Sequence, residues 1–158
     1  MTLEQYVAGL NRKRVVAGVL FRDATGRVLL VEPSYKPDWE IPGGAGEEGE
    51  PPWVTATREV REEMDLVWTT GALLVVDHVP ARQGWDEGVA FVFDGGLLTE
   101  ADVAALSFPD GEIVSARLCD DTEVRSLVRP LLADRIAAAL HAVDAGAPSL
   151  CEQGRRVG

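Results

Sequence analysis

Apolar and polar positions along this chain switch between a two-residue and a three-to-four-residue period, which marks out a mixed α/β order. Thr2 with Gln5 three residues on is a capping-box start for a short helix reaching about Leu10. Arg14–Arg22 is an apolar run of strand length, Asp23-Ala24-Thr25-Gly26 is a turn, and Arg27–Glu32 is its hairpin partner. A short strand is predicted at Trp39–Ile41, running into Gly43-Gly44, then a helix over residues 52–64. Strands follow at Ala72–Val79 and Gly88–Phe93, joined by the long loop Pro80–Glu87, with Gly95 and Gly96 breaking the second. Thr99 caps a helical turn through Ala105, Ile113–Leu118 is another strand, and residues 121–128 form a short helix. In Pro130–Val143, Leu132, Ile136, Ala139, Leu140 and Val143 share one helical face, and Gly146 and Pro148 end it. Residues 1–146 therefore read as a single domain, and 147–158 as a tail that is loosely packed or docked on a partner subunit.

Helix 52–64 carries more than a packing signal. At 100° per residue, Glu59, Glu62 and Glu63 fall within an arc of about 100°. Trp53, Ala56, Val60 and Met64 fall within roughly 80° beside them, an inward-packing stripe. Like charges at this spacing destabilise a helix unless something neutralises them. A hard divalent cation such as Mg²⁺, which takes oxygen ligands, would do so. The plainer reading is a solvated acidic face partnered by Arg58 and Arg61. The context favours the cation: a strand runs into Gly43-Gly44, where backbone can approach an ion closely, and Pro51 and Pro52 open the helix.

The spacing itself is specific. Gly44, Glu50, Arg58, Glu59, Val60, Glu62 and Glu63 stand in the pattern G-x5-E-x7-R-E-V-x-E-E. This segment resembles the signature of the Nudix hydrolases, G-x5-E-x7-R-E-U-x-E-E-x-G-U, with Val60 and Leu66 at the two aliphatic U positions. Asp65 stands where that family has its second glycine. The glycine would end the helix in a left-handed conformation, which Asp tolerates better than most residues. The alternative is a shifted helix end that disturbs the aim of Glu63.

The resemblance implies the Nudix fold, an α/β/α sandwich with a mixed β-sheet. It also implies a Mg²⁺-dependent hydrolase, with Mn²⁺ as a possible substitute, acting on a pyrophosphate linkage. Carried over by position, Glu59 and Glu63 are direct metal ligands, and Glu62 shares the metal or acts as base. The Gly43 carbonyl is a further ligand, and Arg58 holds the loop by pairing with Glu50, with Gly44 as loop support. Many relatives add an acid from beyond the box. Glu112 is the first candidate here and Glu87 the second, and each reads equally well as a solvated loop carboxylate. Tyr35, Lys36 and Trp39 lie just ahead of the glycine loop, where substrate would enter, and Trp85 in the long loop would stack on a base. His78 reads more simply as a satisfied strand histidine. Nucleoside triphosphates, ADP-ribose or nucleotide sugars, and dinucleoside polyphosphates all stay open as substrates.

Composition narrows the partners. The 158 residues are 46% hydrophobic, enough for one sizeable core. Fifteen basic against 26 acidic side chains leave a net charge of −11, which disfavours nucleic acid polymers and anionic membranes but admits a metal-screened nucleotide. Cys119 and Cys151 form no metal or disulfide pattern, and the first residues have no apolar secretion segment, so a cytoplasmic setting is expected. A homodimer is expected by analogy with the family. Two other function classes are set against the hydrolase. A non-catalytic nucleotide sensor on the same fold would show a damaged box or an added DNA-binding domain. An isomerase of diphosphate-bearing lipids would want catalytic Cys and Glu positions near the box.

Overall fold

β1 (Arg14–Arg22) is the strand around which the rest assembles in the computed structural model, which describes residues 1–158. On one side it pairs in parallel with β5 (Gly88–Leu97), Arg14 opposite Gly88 through Arg22 opposite Leu97. On the other side its far end meets β2 (Val28–Pro33) at Arg22↔Val28, and its near end pairs with β3 (Gly43–Ala45) through Val16↔Ala45 and Gly18↔Gly43. The sheet is completed by β4 (Leu73–Val79), β6 (Ile113–Cys119), β7 (Ser149–Glu152) and β8 (Arg155–Arg156), in the order β6-β2-β1-β5-β4-β7-β8 with β3 as a side branch on β1.

Helices cover both faces, because β1 is apolar on both. Val19 and Phe21 pack with Ala56, Val60 and Met64 of α2 (Pro52–Met64). Leu20 packs on the opposite side with Val124 of α4 (Asp121–Leu127) and Leu132, Ile136 and Ala139 of α5 (Pro130–Ala145). This is the expected α/β/α sandwich with a mixed sheet. The short helices α1 (Leu3–Ala8) and α3 (Glu100–Ala104) both begin at complete capping boxes, on Thr2 and Thr99.

Four local expectations are corrected. The strand read at Trp39–Ile41 reduces to one bridge, Val31↔Glu40, and the strand proper is the glycine segment β3. Gly95 and Gly96 do not break β5. Leu20 faces Asp94 and Phe21 faces Gly96, so Gly95 is the extra residue of a bulge, and a Cβ there would lie 2.5 Å from the Phe21 ring. Trp53 is not on the inward stripe: it is half exposed, and Thr55 takes the buried place at the helix start.

The fourth correction is the C-terminal segment, which is an ordered hairpin. β7 lies parallel to β4, Val75↔Ser149 to His78↔Glu152, and β8 folds back on β7. The turn between them has positive φ at Gln153 and Gly154 (50° and 84°), the sense that matches the twist of paired strands. The fully buried Asp77 of β4 fixes it, accepting from the Gly154 backbone N–H at 3.0 Å and from Arg135 Nε of α5 at 2.7 Å.

Candidate active site

The glycine segment β3 and helix α2 meet over β1, and close contact requires glycine at both 43 and 44. Gly43 has φ 152°, and a Cβ there would lie 2.3 Å from the Ala17 carbonyl oxygen of β1. At Gly44 a Cβ would lie 2.5 Å from Glu59 Oε1, so the missing side chain is the space the Glu59 carboxyl occupies. The Gly43 N–H donates to Glu63 Oε1 at 3.1 Å. The amide of Gly43 is thus engaged with the box.

Arg58 ties the box together. Its Nε and Nη2 donate to the two oxygens of Glu50 at 2.8 and 2.9 Å, a bidentate pair, and Nη2 also donates to the Ala45 carbonyl at 3.1 Å. Nη1 reaches Glu59 at 3.0 Å and Glu62 at 3.2 Å. Glu50 also accepts from the Thr55 hydroxyl at 2.6 Å and the Glu47 amide at 3.1 Å. The Arg58 guanidinium and the Thr55 hydroxyl hold the Glu50 carboxyl down at about 2. One arginine therefore locks the loop after β3 onto the first turns of α2, the supporting role the resemblance implies for Arg58 and Glu50.

Glu63 is the unusual group. Its side chain is only 4% exposed, and burial pushes its carboxyl up to about 9, against the lowering effect of the Gly43 N–H and reinforced by the charge of Glu59. Burial raises Glu59 as well, against the pull of Arg58. The two carboxyls also act on each other, the charge of Glu59 adding to the rise at Glu63. Glu62 projects outward and is half exposed beside Arg58. Asp65 ends α2 in the left-handed conformation, φ 50° and ψ 36°, with its N–H on the Arg61 carbonyl. The helix end is not shifted, and Glu63 keeps its aim.

A cavity of about 220 Å³ opens over Glu59 and Glu63, walled by Tyr35, Glu40, Gly43, Gly44 and Glu112. Glu112 borders it; Glu87 does not, since its carboxylate lies ahead of β1 against Asn11 and Lys13. No three acidic, histidine or cysteine side chains converge on one point as a finished metal cage. The donor set still fits a hard divalent cation. Two carboxyls forced together out of water, with further carboxylates at the rim, are what such a cation relieves.

The other expected residues are spread along a groove. Lys36 lies on its wall with Tyr35, its ammonium paired with Glu40. Trp39 is not at the cavity. It packs on the α5 side of the core with Arg117 over its ring at 5.4 Å, and its backbone N–H donates to the Leu127 carbonyl at 3.0 Å. Trp85 is exposed and distant from the glutamates, with Arg14 over its ring at 5.0 Å. His78 Nδ1 lies 3.2 Å from Lys13, a strand residue with a partner. Sequence reasoning missed Glu40 and Thr55. Glu40 reads as mid-strand, but its place just before the glycine loop is a usable signal. Thr55 stands five residues after Glu50, a spacing that becomes meaningful only once the helix start is fixed.

The comparisons agree with this geometry. The model of the family described as NUDIX domain matches residues 12–141. Among solved structures, a NUDIX hydrolase from Nitrosomonas europaea superposes with a TM-score of 0.68 at 22% identity, covering 90% of this chain and 80% of that one. An ADP-ribose pyrophosphatase from Streptococcus suis 89-1591 gives 0.64 at 16% identity, covering 89% and 99%. An Ap4A hydrolase from C. elegans gives 0.65 at 19% identity, covering 84% and 98%. No curated protein matches the sequence. With the family model spanning most of the chain, Glu59, Glu62 and Glu63 on α2 and Glu50 in the loop before it, the chain is a member of the Nudix hydrolase family.

Proposed function

We propose that this protein is a divalent-metal-dependent hydrolase that cleaves the pyrophosphate linkage joining a nucleoside diphosphate to a second moiety. The observation that carries the reading is the buried Glu59–Glu63 pair, pressed against a glycine loop that only glycine can form. Glu59 and Glu63 would hold the cation, with Glu62 or Glu112 adding a carboxylate at the rim. Mg²⁺ is the first choice for an all-oxygen site of this kind, and Mn²⁺ would substitute. When bound, the metal supplies charge neutralisation of the pyrophosphate and acidifies a coordinated water. The chain's own part is to hold that constellation rigid through Arg58, and to take the water's proton on a carboxylate within reach.

Names of the neighbours support the substrate class without fixing the member, since one is an ADP-ribose pyrophosphatase and another an Ap4A hydrolase. No helix is long and apolar enough to cross a membrane. Both cysteines are buried free thiols, in keeping with the cytoplasmic setting we favour. α1 leaves Leu3, Tyr6 and Val7 exposed and buries nothing of its own, which supports a homodimer through that helix.

The test is release of phosphate and nucleotide from a panel of nucleoside diphosphate derivatives with Mg²⁺ or Mn²⁺, run beside Glu63→Gln. Metal-dependent release abolished in the variant is the expected result. Tight nucleotide binding without turnover, indifferent to Glu63→Gln, would overturn it in favour of a nucleotide sensor.

A further inference from the structure

The groove does not stop at the glycine loop. On the α5 side of the sheet a second cavity of about 270 Å³ runs from Gly43 and Gly44 over Val16 of β1 and Ala90 and Val92 of β5. Beyond it lies a third, also about 270 Å³, which shares Val16 and Arg129 with the second. Gly18, Val16 and Arg14 lie on one face of β1, so the third cavity begins at Val16, about 7 Å along the strand from the glycine that pairs with Gly43, and reaches Arg14 at about 13 Å.

The third cavity differs in charge from everything around it. Four arginines, Arg14, Arg82, Arg129 and Arg135, line it together with Trp85, and its wall contains no aspartate or glutamate. The chain has 26 acidic residues and a net charge of −11, so a wall with arginines alone is a local reversal of sign. Two of the four are engaged: Arg135 donates to the buried Asp77, and Arg14 Nε donates to the Asp86 carbonyl at 2.8 Å while lying over Trp85. The guanidinium groups of Arg82 and Arg129 take part in no ion pair or hydrogen bond within the chain. Guanidinium is the donor fork that fits phosphate oxygens bidentately. Two such groups, with the positive charge of Arg14 beside them, match a dianion better than a carboxylate.

We propose that this pocket is a second phosphate site, which takes a phosphate monoester on the nucleoside part of the substrate remote from the cleaved linkage. The position of the cleaved linkage rests on the hydrolase reading above. The order along the groove is then acidic box for the pyrophosphate, apolar floor for the nucleoside, and arginine pocket for its additional phosphate. A continuous polyphosphate chain is disfavoured, because Val16, Ala90 and Val92 offer its middle no counter-charge.

The experiment compares matched pyrophosphate substrates that differ by one ribose phosphate: NADP⁺ against NAD⁺ for the 2′ position, and coenzyme A against its 3′-dephospho form. Each pair is run on the wild type and on Arg82→Gln/Arg129→Gln, with Arg125→Gln as a control for net charge. In parallel, calorimetry measures binding of adenosine 2′,5′- and 3′,5′-bisphosphate against AMP. The wild type is expected to favour the phosphate-bearing member of at least one pair at least tenfold in kcat/KM or Kd. In the double variant that ratio is expected to collapse to about 1, and in Arg125→Gln to persist. No preference in any pair, or a preference that survives the double variant, overturns the proposal. If neither pair is hydrolysed but the bisphosphate preference is present and Arg-dependent, the pocket stands, and the hydrolase reading is decided separately by the nucleoside diphosphate panel.

Discussion

Asp77 of β4 and Arg135 of α5 form a pair in which the carboxylate is wholly buried and the guanidinium nearly so, with the Gly154 N–H as the third member. Three elements distant in sequence are pinned at one point. Removing one member of such a pair leaves an unpaired buried charge, which costs about 3–5 kcal/mol. Asp77→Ala is expected to lose that much in urea denaturation, and to free the β7–β8 hairpin, seen as rapid amide exchange in residues 149–156. Unchanged stability would show that the pair contributes nothing net.

Arg58 is expected not to tolerate lysine. An ammonium keeps the charge but cannot grip Glu50 with two parallel bonds while reaching Glu59, Glu62 and the Ala45 carbonyl. Arg58→Lys should lower kcat at least tenfold while costing only about 1–2 kcal/mol of stability. Steady-state kinetics beside thermal melts checks both, and wild-type kcat would refute it.

Gly43 and Gly44 separate folding from chemistry. At Gly43 an added methyl meets backbone, so Gly43→Ala is expected to destabilise by several kcal/mol. At Gly44 it meets only the end of the Glu59 side chain, which can swing aside. Gly44→Ala should therefore fold near normally but lose metal affinity and turnover. Circular dichroism melts and metal titration of both variants decide the point.

The Glu63 carboxyl sets a pH dependence whose sign is fixed. Its proton is held more tightly folded than unfolded, since the folded value is raised from 4.5 to about 9. Its contribution is intact below the unfolded value and is lost progressively as pH rises toward the folded one. Metal-free protein should thus lose stability between pH 4.5 and 9, by at most about 1.4 kcal/mol per pH unit. Glu63→Gln should flatten that slope. Denaturation in chelator across the range tests it, and an equal slope in the variant would assign the effect elsewhere.

What the sequence made legible was what periodicity and spacing record. The helix face of α5, that of α2 apart from Trp53, the caps on Thr2 and Thr99, and the spacing of the box follow from residue type at fixed intervals, while the Arg58–Glu50 support came with the resemblance that spacing carries. Glycine defeated the reading in both directions. Gly43-Gly44-Ala45 has no side-chain pattern to announce a strand, and Gly95-Gly96 looks like a stop although its role is to let Phe21 in. The hairpin at 149–156 was hidden because its partner β4 and its anchor Asp77 lie some 75 residues away. The arginine pocket draws one residue each from β1, the loop after β4 and the start of α5, plus one from within α5, a gathering that only the fold reveals.

The parallel pairing of β1 with β5 also bears on how the protein comes to be folded. Arg14 opposite Gly88 closes a loop of more than 70 residues, and the glycine segment that carries the chemistry hangs on the opposite edge of that same β1. Contacts so far apart in sequence must overcome loop-closure entropy before they stabilise anything. Closing this pair is therefore expected to be the slow step that completes the sheet under the glutamates, and refolding followed by fluorescence should then run at the same rate as recovery of activity.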